Sequence, residues 1–94
     1  MDVETALREI DEANAKHVGA GEAYEAIREE YERVFEEVDR IADGEGVEEL
    51  LRHVDEHIRY HESRPSIAIV TNYAIAACRE VGEGVPEESW IAPE

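Results

Sequence analysis

The chain has 94 residues, of which 25 are Asp or Glu and 9 are Lys or Arg, for a formal net charge of -16 at pH 7. With no basic patch to neutralise phosphates, nucleic-acid binding is excluded, as is docking to an anionic membrane surface. Apolar residues make up 43% of the chain and recur periodically, which excludes disorder for most of its length.

No apolar run approaches the roughly 20 residues needed to span a bilayer, and no charged-then-apolar leader pattern opens the sequence. In ordinary salt a domain of this charge repels itself and loses compact-state stability. At molar salt the Debye length falls to about 3 Å and the repulsion is largely screened. Lys16 is the single lysine and nearly all other cations are arginine. The expected setting is the cytoplasm of a salt-accumulating halophile, an archaeon by preference. Cys78 is the single cysteine, so no intrachain disulfide can form, which fits a reducing interior. A chain this short makes one domain with a thin core, which oligomerisation would supplement.

The first segment, about 3–18, places Val3, Leu7, Ile10 and Val18 near one helical face, with Asp2 as N-cap and Glu4 at the favoured end of the dipole. Gly19 and Gly21 break the pattern, as a C-cap followed by a new start requires. The second segment, about 22–43, carries the clearest signal. Tyr24, Ile27, Tyr31, Val34, Val38 and Ile41 step by three and four, which predicts an amphipathic helix or a short coiled-coil seam. Asp43-Gly44-Glu45-Gly46 predicts a turn.

The third segment, about 47–62, puts Val47, Leu50, Leu51, Val54 and Ile58 on one face. Ser63-Arg64-Pro65-Ser66 closes it and opens the next, with Pro65 expected in the first turn and Ser63 or Arg64 near the cap. The fourth segment, about 65–81, is apolar on most sides. It is read as a helix that is either central in the bundle or buried in a subunit interface. Gly82 and Gly84 end it. Residues 1–84 then form one helical domain and 85–94 a short tail, in which Trp90 either folds over a bundle end or anchors a neighbour.

His53, His57 and His61 form an H-x-x-x-H-x-x-x-H ladder on the third helix. A spacing of four lets a helix offer two imidazoles to one ion. Each such step also turns the side chain by about 40°. The outer pair is separated by about 12 Å along the axis, so one ion cannot be held by all three. A pair plus a ligand from elsewhere is the workable arrangement, with His17, Glu49 or Glu62 as the third group. The rotation is expected to leave His53 outside the apolar stripe, His57 on its edge and His61 nearly inside.

A ferritin-like di-iron centre is disfavoured, because Asn14, Leu50, Val54 and Ile58 occupy the positions three before the histidines, where that site wants Glu. Glu25, Glu29, Glu32, Glu36, Asp39 and Asp43 form an acidic stripe opposite the apolar face, expected to be solvated. Tyr24, Tyr31, Tyr60 and Tyr73 are expected to pack with their hydroxyls toward water. Cys78 has no neighbouring cation to activate it and reads as packing.

The stretch Arg64-Pro65-Ser66-Ile67-Ala68, with Asn72, slightly resembles the Arg-Pro-Thr-Ala-Val segment of initiation-factor-2B-like sugar phosphate isomerases. The resemblance covers under ten residues, and the large α/β catalytic domain of those enzymes is absent from this sequence.

The expected fold is an all-α, antiparallel four-helix bundle-like domain with a short C-terminal tail, expected in solution as a homo-oligomer or as the binder of a protein partner. The leading expectation for function is a non-enzymatic interaction or assembly module, with Ile69, Tyr73 and Trp90 as interface residues. That reading expects an oligomer that survives dilution and ignores chelators. The alternative is a helical metal- or ligand-binding protein holding a divalent transition metal at His57 with His61 or His53, its metal lost in a His57→Ala variant. A small all-helical enzyme with its site between subunits is the third, although no catalytic constellation or cofactor motif occurs.

Overall fold

The computed structural model describes residues 1–19 and 21–81. These residues form four α-helices, α1 (Val3–His17), α2 (Glu22–Ala42), α3 (Glu45–His61) and α4 (Ile67–Glu80). The fold is all-α and bundle-like. The tail at 85–94, with Trp90, lies outside the described residues, as do residues 82–84.

Local chemistry starts and stops each helix. The Asp2 carboxylate accepts a 2.8 Å hydrogen bond from the Thr5 amide and so caps α1; that bond holds its carboxyl below the usual range. At the other end Asn14 is fully buried, and its side-chain amide donates to the Gly19 carbonyl at 2.8 Å. The Asn14 carbonyl accepts from the amides of Val18 and Gly19. Gly19, at φ 91°, supplies the left-handed step that this closure needs.

Between α2 and α3 the reversal takes only Asp43 (φ 49°) and Gly44 (φ 90°). The expected four-residue turn is therefore half as long, and Glu45 and Gly46 belong to α3. Gly46 serves close packing instead of turning. A Cβ there would stand 2.7 Å from Ala42 Cβ and 2.8 Å from Val38 Cγ1. At the start of α4 the cap is Ser66, whose hydroxyl accepts from the Ile69 amide at 3.4 Å. Pro65 thus precedes the cap and does not occupy the first turn. The Pro65 carbonyl is used elsewhere, which fixes it outside the helix.

Pairings across elements fix the directions. Asp11 of α1 meets Tyr24 and Arg28 of α2, while Met1 lies beside Gly44, past the end of α2, so these helices run antiparallel. The Met1 amino group is also 3.8 Å from Glu48 at the start of α3, and residues 9–16 share a cleft with Asp55 and Arg59, so α1 and α3 run parallel. Arg52 reaches Glu80 and His57 reaches Tyr73, so α3 and α4 are antiparallel. The helices α2 and α3 pack on each other and on both remaining helices, whereas among the described residues no Cα of α1 lies within 8 Å of one of α4. The cross-section is a diamond with α2 and α3 on its short diagonal.

Between them lies the core: Ile10 from α1, Tyr31, Val34, Phe35 and Val38 from α2, Val47, Leu50, Val54 and Ile58 from α3, and Val70, Ala74 and Cys78 from α4. The three-and-four stepping of α2 and the stripe on α3 account for this directly. The tyrosine hydroxyls depart from expectation. Tyr24 and Tyr31 both give theirs to protein acceptors, Asp11 Oδ1 and the Pro65 carbonyl, each at 2.7 Å. A phenol buried this deeply must find a partner inside the protein.

Candidate functional site

Chemistry-bearing side chains converge along the seam between α3 and α4. Glu49 and His53 are one turn apart on α3, and the antiparallel course of α4 brings its last residue, Glu80, to the same place. One ligand atom from each of the three lies within 4.8 Å of the other two. Arg52 sits over the group. It pairs with Glu49, stands 3.6 Å from Glu80, and is also 3.6 Å from Glu56 one turn further on. Interaction with the Glu80 carboxyl and with Arg52 pulls Glu49 below the usual carboxylate range, while interaction with Glu49 and its charge push Glu80 above it.

Tyr73 of α4 lies between the first two histidines. It stacks on His53 at a centroid distance of 5.2 Å and 19° between planes, and its hydroxyl is 3.4 Å from His57 Nδ1. Nε2 of His53 is shut off from solvent and has no hydrogen-bond partner among the described residues. His57 and His61 come within 4.7 Å, ring to ring. Burial, and then the His61 charge, lower the His57 pKa below its ordinary value.

The ladder is thus split. His53 joins Glu49, one of the three third-ligand candidates, and a carboxylate from α4. His57 and His61 pair with each other, and neither is in the three-donor group, nor are His17 and Glu62. The expected order of burial is reversed. His53 and His57 are half-buried and His61 is exposed. His61 is the last residue of α3, and Glu62 turns away at φ 49° in the left-handed region, so nothing packs over the final imidazole. His53 faces α4 because α4 packs along that side of the buried stripe.

Glu80 and Arg52 escape sequence reasoning. The Glu49–His53 spacing is legible, but Glu80 is 27 positions beyond His53 and meets it only through the packing of two helices. No local pattern carries that information. A similar brace joins α1 to α2, where Arg28 Nε is 2.9 Å from both Asp11 oxygens and Tyr24 shares the same carboxylate. Burial and that bond to Asp11 raise the Tyr24 pKa.

Two further surfaces frame the seam. All six members of the α2 acidic stripe, from Glu25 to Asp43, are exposed, as expected of a solvated face. By contrast, α4 carries no charged residue from Ile67 to Cys78, in a chain that is 36% charged. Its inner side closes the core through Val70, Ala74, Ile75, Ala77 and Cys78. Ala68 and Asn72 are exposed, and Ile69, Tyr73 and Ala76 are half-buried. Tyr60 of α3, at 80% exposure, stands out among the large side chains. Among the described residues, no helix is long and apolar enough to cross a membrane. No protein-family model matches this chain, and neither a curated protein nor a solved structure is detectably similar to it.

Proposed function

We propose that the chain is a non-enzymatic helical assembly module of a salt-rich, halophilic cytoplasm, and that it self-associates through the outer face of α4 and the adjoining turns of α3. The observation that carries this reading is the absence of charge from Ile67 to Cys78 in a chain of net charge -16. Interface centres are depleted in charge and enriched in tyrosine. Here half-buried Tyr73 and Ile69 border a face whose Ala68, Asn72 and Ala76 are small enough to allow close approach.

A second copy of this chain is the occupant that fits. Two neutral faces can meet about a two-fold axis, each patch against itself, with the acidic stripes of α2 held apart on the outside. The size of the face sets the strength. A 14-residue helix is about 21 Å long. With part of α3 beside it, the face offers roughly 400 Å² per copy, or about 800 Å² in total, below the roughly 1,000 Å² of a stable interface and fit for weak, transient association. The expected oligomer is therefore a reversible dimer that dissociates on dilution, not the persistent one that composition alone suggests.

Ala68→Glu and Asn72→Glu place charge on exposed positions without touching the core. Light scattering in molar KCl is expected to read a dimer for the unmodified chain and a monomer for both variants, at unchanged helicity. Equal masses for all three would defeat the proposal.

A further inference from the structure

At the end of the same seam, two observations point to a ligand independently of any assembly. Glu49, His53 and Glu80 present one donor each within 4.8 Å of one another. Nε2 of His53 is removed from solvent and lacks a partner among the described residues, although a buried polar nitrogen ordinarily has one. We propose that Glu49, His53 and Glu80 bind a divalent first-row transition ion of the zinc class.

The donor set argues for that class. Imidazole favours zinc, copper and nickel over magnesium and calcium, and affinity rises along the first row to a maximum at copper, with zinc just beyond it. Two carboxylates add the charge that neutralises a divalent ion, and water completes the shell. Metal–ligand bonds of about 2.0–2.1 Å place tetrahedral donors about 3.3 Å apart. The three groups must therefore close by up to about 1.5 Å. Glu80 is exposed and Glu49 half-buried, so rotation of these two long side chains supplies the movement with α3 and α4 in place. The Tyr73 ring stacked on His53 holds the imidazole plane while the carboxylates come in.

Arg52 is the resident cation of this cluster. It pairs with Glu49 and lies near Glu80, and Glu56 waits 3.6 Å away on the solvent side. An incoming ion takes the place between Glu49 and Glu80, and Arg52 keeps Glu56. The guanidinium and the metal compete for the same two carboxylates, so removing Arg52 tightens metal binding.

The test is a calorimetric titration of the full chain, stripped with chelator and held in molar KCl, with Zn²⁺ as the probe and Mg²⁺ in parallel. The expected result is one zinc per chain, no saturable magnesium heat, and a loss of about tenfold or more in affinity for both His53→Gln and Glu80→Gln. Glu80→Gln alters an exposed helix end and so reports on the site even where His53→Gln disturbs the seam. His61→Gln is expected to bind as the unmodified chain does, and Arg52→Gln several-fold more tightly. Absence of a saturable zinc heat, or equal binding by the Glu80→Gln variant, overturns the site. Zinc lost with His61→Gln but kept with His53→Gln moves it to the outer histidine pair and overturns this ligand set. Unchanged or weaker binding by Arg52→Gln overturns the exchange.

Discussion

The Tyr31 hydroxyl donates a 2.7 Å hydrogen bond to the Pro65 carbonyl, joining the middle of α2 to the segment between α3 and α4 across 34 residues. Both groups are buried, so the bond fixes where α4 begins. Tyr31→Phe is expected to leave a carbonyl buried without its donor, at a cost of about 1–3 kcal/mol, read as a lower denaturant midpoint.

The same burial pushes the Tyr31 phenol from 10.0 up to about 12. Below pH 10 the folded and unfolded chains both keep this proton. Between pH 10 and about 12 the unfolded chain gives it up while the folded one holds it, so stability falls as pH rises through that window. The Tyr31→Phe variant is expected to lose less stability than the unmodified chain between pH 9 and 11. Equal slopes in paired denaturation curves would contradict this.

Gly46→Ala pits two effects against each other. Helix propensity favours alanine by about 1 kcal/mol. The new Cβ, however, would be under 3 Å from Ala42 Cβ and Val38 Cγ1, and neither neighbour is a flexible chain end. Overpacking costs about 1–3 kcal/mol, so the expected net effect is destabilisation. An increase in melting temperature would mean that α2 and α3 separate more readily than their tight turn implies.

Charge supplies a fourth outcome. Exposed carboxylates crowd α2, and the pairs Arg33–Glu30 and Arg40–Glu37 offset only part of that helix's acidic charge. Exposed pairs like these contribute at most about 1 kcal/mol each. Screening of the net repulsion is the larger effect, so the melting temperature is expected to rise steadily from low to molar KCl. A flat profile would remove the halophilic setting.

The Asp11–Tyr24–Arg28 brace gives a fifth. The Arg28 and Asp11 side chains are each 36% exposed, so their ion pair is worth about 1 kcal/mol or less. Tyr24 is nearly fully buried and its hydroxyl needs the same carboxylate. Asp11→Ala is therefore expected to cost more than Arg28→Ala, and a double-mutant cycle between Asp11 and Tyr24 to show the larger coupling.

Periodicity made the helices legible because their buried faces repeat every three or four residues. The α2 stripe from Tyr24 to Ile41 and the α3 stripe from Val47 to Ile58 both land on the core, and the exposed acidic residues of α2 follow from the same count. What escaped reading was non-local or terminal. Asn14 looks like a surface residue until its amide is needed to close the end of α1. Gly46 looks like a turn residue until its missing side chain admits α2. His61 looked buried by rotation alone, but a helix that stops there leaves it in water. Glu80 entered the metal cluster only because α3 and α4 run antiparallel, a relationship that neither segment encodes by itself.

The most direct test of the assembly reading is sedimentation equilibrium of the untagged chain in molar KCl over a wide concentration range. The account predicts a mass that climbs from the 10.6 kDa of one chain toward twice that value, with Asn72→Glu held at the lower limit. A mass of one chain at every concentration would contradict it, and the uncharged face of α4 would then need a different partner.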